Sequence, residues 1–253
     1  MCRFKSGIIL KNRVELAPIY NESHSYLLKK LNIKDTETNA MRVFVRAELV
    51  PPCNDKTKDL STWRFVVDQD VVPDWFAEDK ERYEKEFRTT VEEWVKKNIF
   101  IICGKACVKM KEEGNKTYHM LMDVLFESEF GENNNYAESY IRRKLQNCDF
   151  AKELKDVYRD KLVPITLDLF SMDGFDDYGK IEGDVLALRT FDLNRECRRN
   201  IPNADMSEFL STPNSTPTGC GSDYVQYVIS NGRVNYNWYN GCNGVRPFFI
   251  LQS

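Results

Sequence analysis

Residues 224–251 read YVQYVISNGRVNYNWYNGCNGVRPFFIL, and this stretch decides how the end of the chain folds. Tyr224 to Ser230 and Arg233 to Tyr239 alternate as strands do, and Asn231-Gly232 between them is the pair that best supplies two positive φ angles. The pattern predicts a hairpin closed by a type I′ turn. On its second strand Val234, Tyr236 and Trp238 share one face, and Arg233, Asn235, Asn237 and Tyr239 the other. The pattern leaves the buried face open, with Val234 and Trp238 favouring the first. Beyond it, Phe248 to Leu251 are apolar enough for a buried terminal strand. Arg246 stands among apolar neighbours, where a charge needs a partner, so a carboxylate or loop carbonyls are expected around it.

Upstream, FIICGK, ACVKMK and TYHMLMDVLF read as short strands, with a polar turn at EEGNK. One helix is predicted over 136–150, on Ile141, Leu145 and Phe150, and a second over 191–199. Two long loops follow from composition: 173–183, rich in Gly and Asp, and STPNSTPTGCGS at 211–222. Residues 1–98 have a different texture. Strands are predicted over 41–49 and 63–67, a short helix over 21–31, and a charged amphipathic helix over 78–98 on Tyr83, Phe87, Val91, Trp94 and Val95. The fold class is therefore α+β, with a small N-terminal α+β segment over 1–98 and a second domain over 99–253.

Of the 253 residues, 42% are hydrophobic and 30% charged, a globular balance. No apolar run approaches the about 18 residues of a membrane helix, so membrane insertion is not expected. The net charge of −3 is spread along the chain, which argues against nucleic acid as a partner. The opening MCRFKSGIIL has too short an apolar core for a signal peptide, so the chain is expected to be made in the cytoplasm and not exported by the general route. Its eight cysteines then read as reduced thiols, mostly packing residues.

Three segments carry a family resemblance. Ser139, Arg142 and Leu145, followed by Gln146-Asn147, match a Ser-x-x-Arg-x-x-Leu-Asn helix with its Asn displaced by one. Phe209-Leu210-Ser211-Thr212-Pro213 stands where the family has W-L-R-[ST]-P, and Gly244-Val245-Arg246-Pro247 matches its G-V-R-P. The chain from 99 to 253 thus resembles uncharacterised bacterial and phage domains related to C-type lectins and to formylglycine-generating enzymes. The resemblance implies a C-type-lectin-like mixed domain with short antiparallel strands, two helices and long loops. Residues 230–243 also resemble the variable region of target proteins of diversity-generating retroelements, where adenine-directed mutation leaves Asn, Tyr, Ser and Asp on a ligand-facing surface.

That likeness implies a non-enzymatic display or receptor-binding protein, phage-encoded and virion-associated, its N-terminal segment attached to a larger assembly. The expected partner is a protein or glycan on a cell surface. The expected contact residues are Asn214, Ser215, Asp223, Tyr224, Asn235, Tyr236, Asn237, Tyr239, Asn240 and Asn243. Tyr supplies contact area with few rotatable bonds, and Asn and Ser supply adaptable hydrogen bonds. The plainer reading is that Asn and Gly cluster here because a hairpin and a loop need them. No catalytic residue, metal ligand or cofactor is expected. The alternative is an enzyme working through an N-terminal Cys2 nucleophile, or through a Cys220 and Cys242 thiol pair suited to copper. Asp173, Asp176 and Asp177 are read as a solvated loop in preference to a Ca²⁺ site.

Overall fold

The computed structural model describes residues 9–10, 13–15, 48–50, 64–66, 81, 85, 88–89, 93–198, 200–204, 206–230 and 232–252. The chain divides into two compact units, Met1–Ile99 and Phe100–Ser253. In the first, β1 (Ile9–Leu10), β2 (Arg13–Glu15), β3 (Glu48–Val50) and β4 (Arg64–Val66) form an antiparallel sheet in chain order. The strand predicted over 41–49 is described only at its end, in β3, and the helix over 21–31 lies outside the described residues. Residues 81, 85, 88–89 and 93–98 are helical, within the predicted charged helix.

The second unit starts with two hairpins. Between β5 (Ile99–Ile102) and β6 (Lys105–Glu113), Cys103 and Gly104 are both left-handed, with φ of 46° and 68°. This is the pair of positive angles that a two-residue hairpin turn needs, and the sequence reading assigned it to Asn231-Gly232 instead. β6 then pairs with β7 (Lys116–Leu121) around Gly114. β8 (Phe126–Ser128), β9 (Leu162–Val163), β10 (Ile165–Asp168), β11 (Lys180–Asp184), β12 (Glu208–Pro213), β13 (Tyr224–Val228), β14 (Val234–Trp238), β15 (Asn243–Val245) and β16 (Phe248–Gln252) follow. One five-stranded sheet has the order β5-β6-β7-β16-β9, another β14-β13-β12-β15-β8, and β10 with β11 makes a two-stranded ribbon. The fold is mixed α+β. Phe248 to Leu251 are buried in β16, which lies between β7 and β9 as an interior strand.

The single helix predicted over 136–150 is three pieces. A 3-10 turn at Tyr136–Glu138 precedes α1 (Tyr140–Asn147), and α2 (Asp149–Tyr158) starts after Cys148, which is extended at φ −71°, ψ 159°. Ser139 accepts from the Arg142 N–H at 3.0 Å and caps α1. With α3 (Phe191–Cys197), capped by Thr190, the unit has three α-helices among its described residues where two were expected. Phe130 lies between Phe209, at 5.3 Å, and Tyr136, at 6.1 Å, while Phe150 meets Phe249 at 5.7 Å.

A buried charge cluster ties these layers. Arg189 donates to Glu208 at 2.7 Å and to the Asn194 amide oxygen at 2.8 Å. Arg246 donates to the carbonyls of Leu121 and Pro202, at 2.7 to 3.0 Å, and approaches Glu208 at 3.5 Å. The carboxylate and the carbonyls expected around Arg246 are thus both present. Its neighbours in the segment have local reasons too. A Cβ on Gly244 would lie 2.6 Å from Val124 and 3.0 Å from the Ser207 carbonyl, and the Pro247 carbonyl accepts from Leu121.

Candidate functional site: the β13–β14 hairpin

Five residue pairs run without interruption from Tyr224 opposite Trp238 to Val228 opposite Val234. The loop differs from the predicted type I′ turn. Ile229 N–H donates to Arg233, and Gly232 N–H, at φ 84°, donates back to Ile229 at 2.7 Å. The loop is therefore three residues long with its left-handed position at Gly232; Asn231 itself lies outside the described residues.

The face that Val234 and Trp238 favoured for burial is open as well. Tyr236 is 53% exposed and Trp238 48%, so the face with Val234 and Trp238 is not the buried one. β14 is the outermost strand of its sheet, past the reach of the core, so alternation there does not report burial. Three rings instead make a surface cluster. Tyr224 meets Tyr236 edge-on at 5.4 Å and Trp238 at 4.6 Å. Gln226, opposite Tyr236, donates to the Asn214 carboxamide at 2.8 Å beside them.

The ten expected contact residues separate accordingly. Tyr224, Tyr236 and Asn214 belong to this face, and Asp223, Asn235 and Asn240 are exposed, with Asn237 and Tyr239 half-buried. Ser215 and Asn243 are only 4% and 6% exposed, which removes them from a contact surface. The Ser215 hydroxyl donates to Asp173 and accepts from the Cys220 N–H, bracing its loop. Asn235 and Asn237 have backbone work: each side-chain oxygen accepts, at 2.9 Å, the N–H of the next residue, Tyr236 and Trp238. Gln226 is itself buried and holds Asn214 in place, whereas the exposed Trp238 was missed. Equal parity with Tyr236 and Tyr224 was the available signal, overridden by the assumption that a Trp is buried.

The Asp-rich loop is held by internal hydrogen bonds. Asp173 accepts from Ser171 and Ser215, both at 2.5 Å, and these bonds lower its pKa; Asp177 accepts from the Thr218 N–H at 2.8 Å, with the same effect. No group of three or more His, Cys, Asp or Glu is placed to hold a metal among the described residues. Cys220 and Cys242 are exposed free thiols, whereas burial pushes the Cys107 thiol up to about 12; Cys2 lies outside the described residues.

A hollow of about 490 Å³ between β10 and α3, lined by Tyr118, Leu167, Thr190 and Phe248, was also not foreseen. Its charges are taken up within the protein, Lys111 by Glu196 at 3.0 Å and Arg195 by Asp192 at 3.1 Å. The hairpin offers a different chemistry, with aromatic faces for stacking and carboxamides for hydrogen bonds. No helix among the described residues is long and apolar enough to cross a membrane. Compared with protein-family models, curated proteins and solved structures, the chain matches none.

Proposed function

We propose that the unit from residue 99 onward is a C-type-lectin-like ligand-display domain, and that it binds a protein or glycan on a cell surface through the β13–β14 hairpin. The observation that carries this reading is the surface cluster of the exposed Tyr236 and Trp238 with the half-buried Tyr224. Large aromatic side chains standing half in water beside polar amides are the composition of binding hot spots and of antibody loops. The lectin-like part is supported by the way the three motif segments meet. Gly244 pairs with Glu208, the next residue Phe209 packs on Phe130, and the Phe130 carbonyl accepts from Tyr140 in α1.

The contact surface is accordingly Tyr224, Tyr236 and Trp238, with Asn214 and Asn240 at its margin. Phage origin, virion association and diversification of this surface belong to the same proposal. Sequencing the surrounding locus tests them: a reverse transcriptase gene and a near-copy of the 3′ end differing at adenines are expected. Binding is tested by screening the full chain on glycan arrays and on bacterial cells, beside Tyr236→Ala and Trp238→Ala. Loss of binding by at least tenfold with an unchanged melting temperature supports the reading, and full binding by both variants overturns it. Alanine at Cys2, Cys220 and Cys242 leaves binding intact; a turnover that depends on these thiols would favour the enzyme.

A further inference from the structure

We propose that β14 joins two copies of this chain, edge to edge, across a two-fold axis centred on Tyr236. Among the described residues β14 pairs only with β13. Ile229 pairs with Arg233, and Tyr239 donates to Asp223, so the odd-numbered residues of β14 turn their backbone groups toward β13. Val234, Tyr236 and Trp238 therefore turn theirs outward. The Asn235 and Asn237 side chains bear this out by reaching around to accept the outward N–H groups of Tyr236 and Trp238.

An edge like this needs protection or a partner. β14 has neither a proline nor a bulge, and its register with β13 is unbroken. The two Asn side chains are its cover, and a short rotation removes them. What makes a second copy the fitting occupant is the sequence itself. VNYNW is close to a palindrome about Tyr236, and antiparallel self-pairing there sets Tyr236 opposite Tyr236, Val234 opposite Trp238 and Asn235 opposite Asn237. The outward N–H and C=O of Tyr236 are those a hydrogen-bonded pair on the axis exchanges. Aromatic and β-branched pairs fall on one face, carboxamide pairs on the other, and no like charges meet within the strand. The two sheets then run on as one, with both aromatic clusters on the same surface.

The test is sedimentation velocity of the full chain over about a hundredfold range of concentration. Species of twice the chain mass, growing with concentration, are expected. Tyr236→Pro removes an N–H that the β13 ladder does not use, so its circular dichroism stays native while dimer is lost. Tyr236→Lys and Tyr236→Glu, each facing itself across the axis, are monomeric alone and dimerise when mixed. A wild-type chain that stays monomeric throughout overturns the proposal. So does a dimer that survives Tyr236→Pro, or a Lys and Glu mixture that stays monomeric, because either places the contact elsewhere. These outcomes do not depend on what the aromatic face binds.

Discussion

Glu208 is the residue that lets Arg246 and Arg189 sit without water. Burial alone pushes its carboxyl up, but Arg189 and then Arg246 pull it down further, so it is held ionised below the ordinary carboxylate range. Removing only the charge exposes the cost. Glu208→Gln takes from two buried guanidinium groups the carboxylate they share and is expected to destabilise the protein by about 3–5 kcal/mol, read from the denaturant midpoint. His119 predicts a pH effect. Enclosed by Phe100 at 5.3 Å and Phe249 at 5.6 Å, its pKa falls from 6.5 to about 4, mainly through burial and next through Lys109. Because the folded state holds this proton less tightly than the unfolded one, its contribution is intact above pH 6.5 and is lost as pH falls toward 4. Wild type should therefore lose up to about 3 kcal/mol over that window, and His119→Leu should flatten the slope.

At the scale of elements, local patterns told which pieces form, and neighbours told how they are used. The alternation of 224–239 gave the hairpin, because period two needs no tertiary information. It could not give a buried face for β14, since none of the residues Val234 to Trp238 is buried on either face. The Asn residues were read from composition as contacts; two of them cap the edge, a role visible only once the parity of the ladder is known. Cys148 breaks the predicted helix without a Gly or Pro to announce it. Gly244 is the reverse case, a motif glycine whose reason is the approach of β15 to β12. Gly244→Ala sets a methyl 3.0 Å from the Ser207 carbonyl, which accepts the Gly244 N–H at 2.8 Å and cannot give way. A loss of about 1–3 kcal/mol is expected in thermal melts.

For the second unit as a whole, what the sequence withheld is long-range pairing. Its ends were each read as strands, yet nothing local says that β16 inserts between β7 and β9, or that Arg246 reaches the Leu121 carbonyl 125 residues away. The same topology makes the last strand indispensable. β16 carries Phe248, Phe249, Ile250 and Leu251 into the core, pairs with two strands, and forms a bridge from Phe248 to Ala187. Each buried Phe or Ile contributes about 1.5–3 kcal/mol, and a whole domain has only about 5–15 kcal/mol in hand. Ending the chain at Pro247 therefore removes more than the unit can lose. Without β16, the edges of β7 and β9 stand open, an invitation to aggregate. The shortened chain is expected to lack cooperative thermal unfolding and to sediment as aggregate, whereas Gln252→Ala, at the exposed end of the same strand, melts as wild type does.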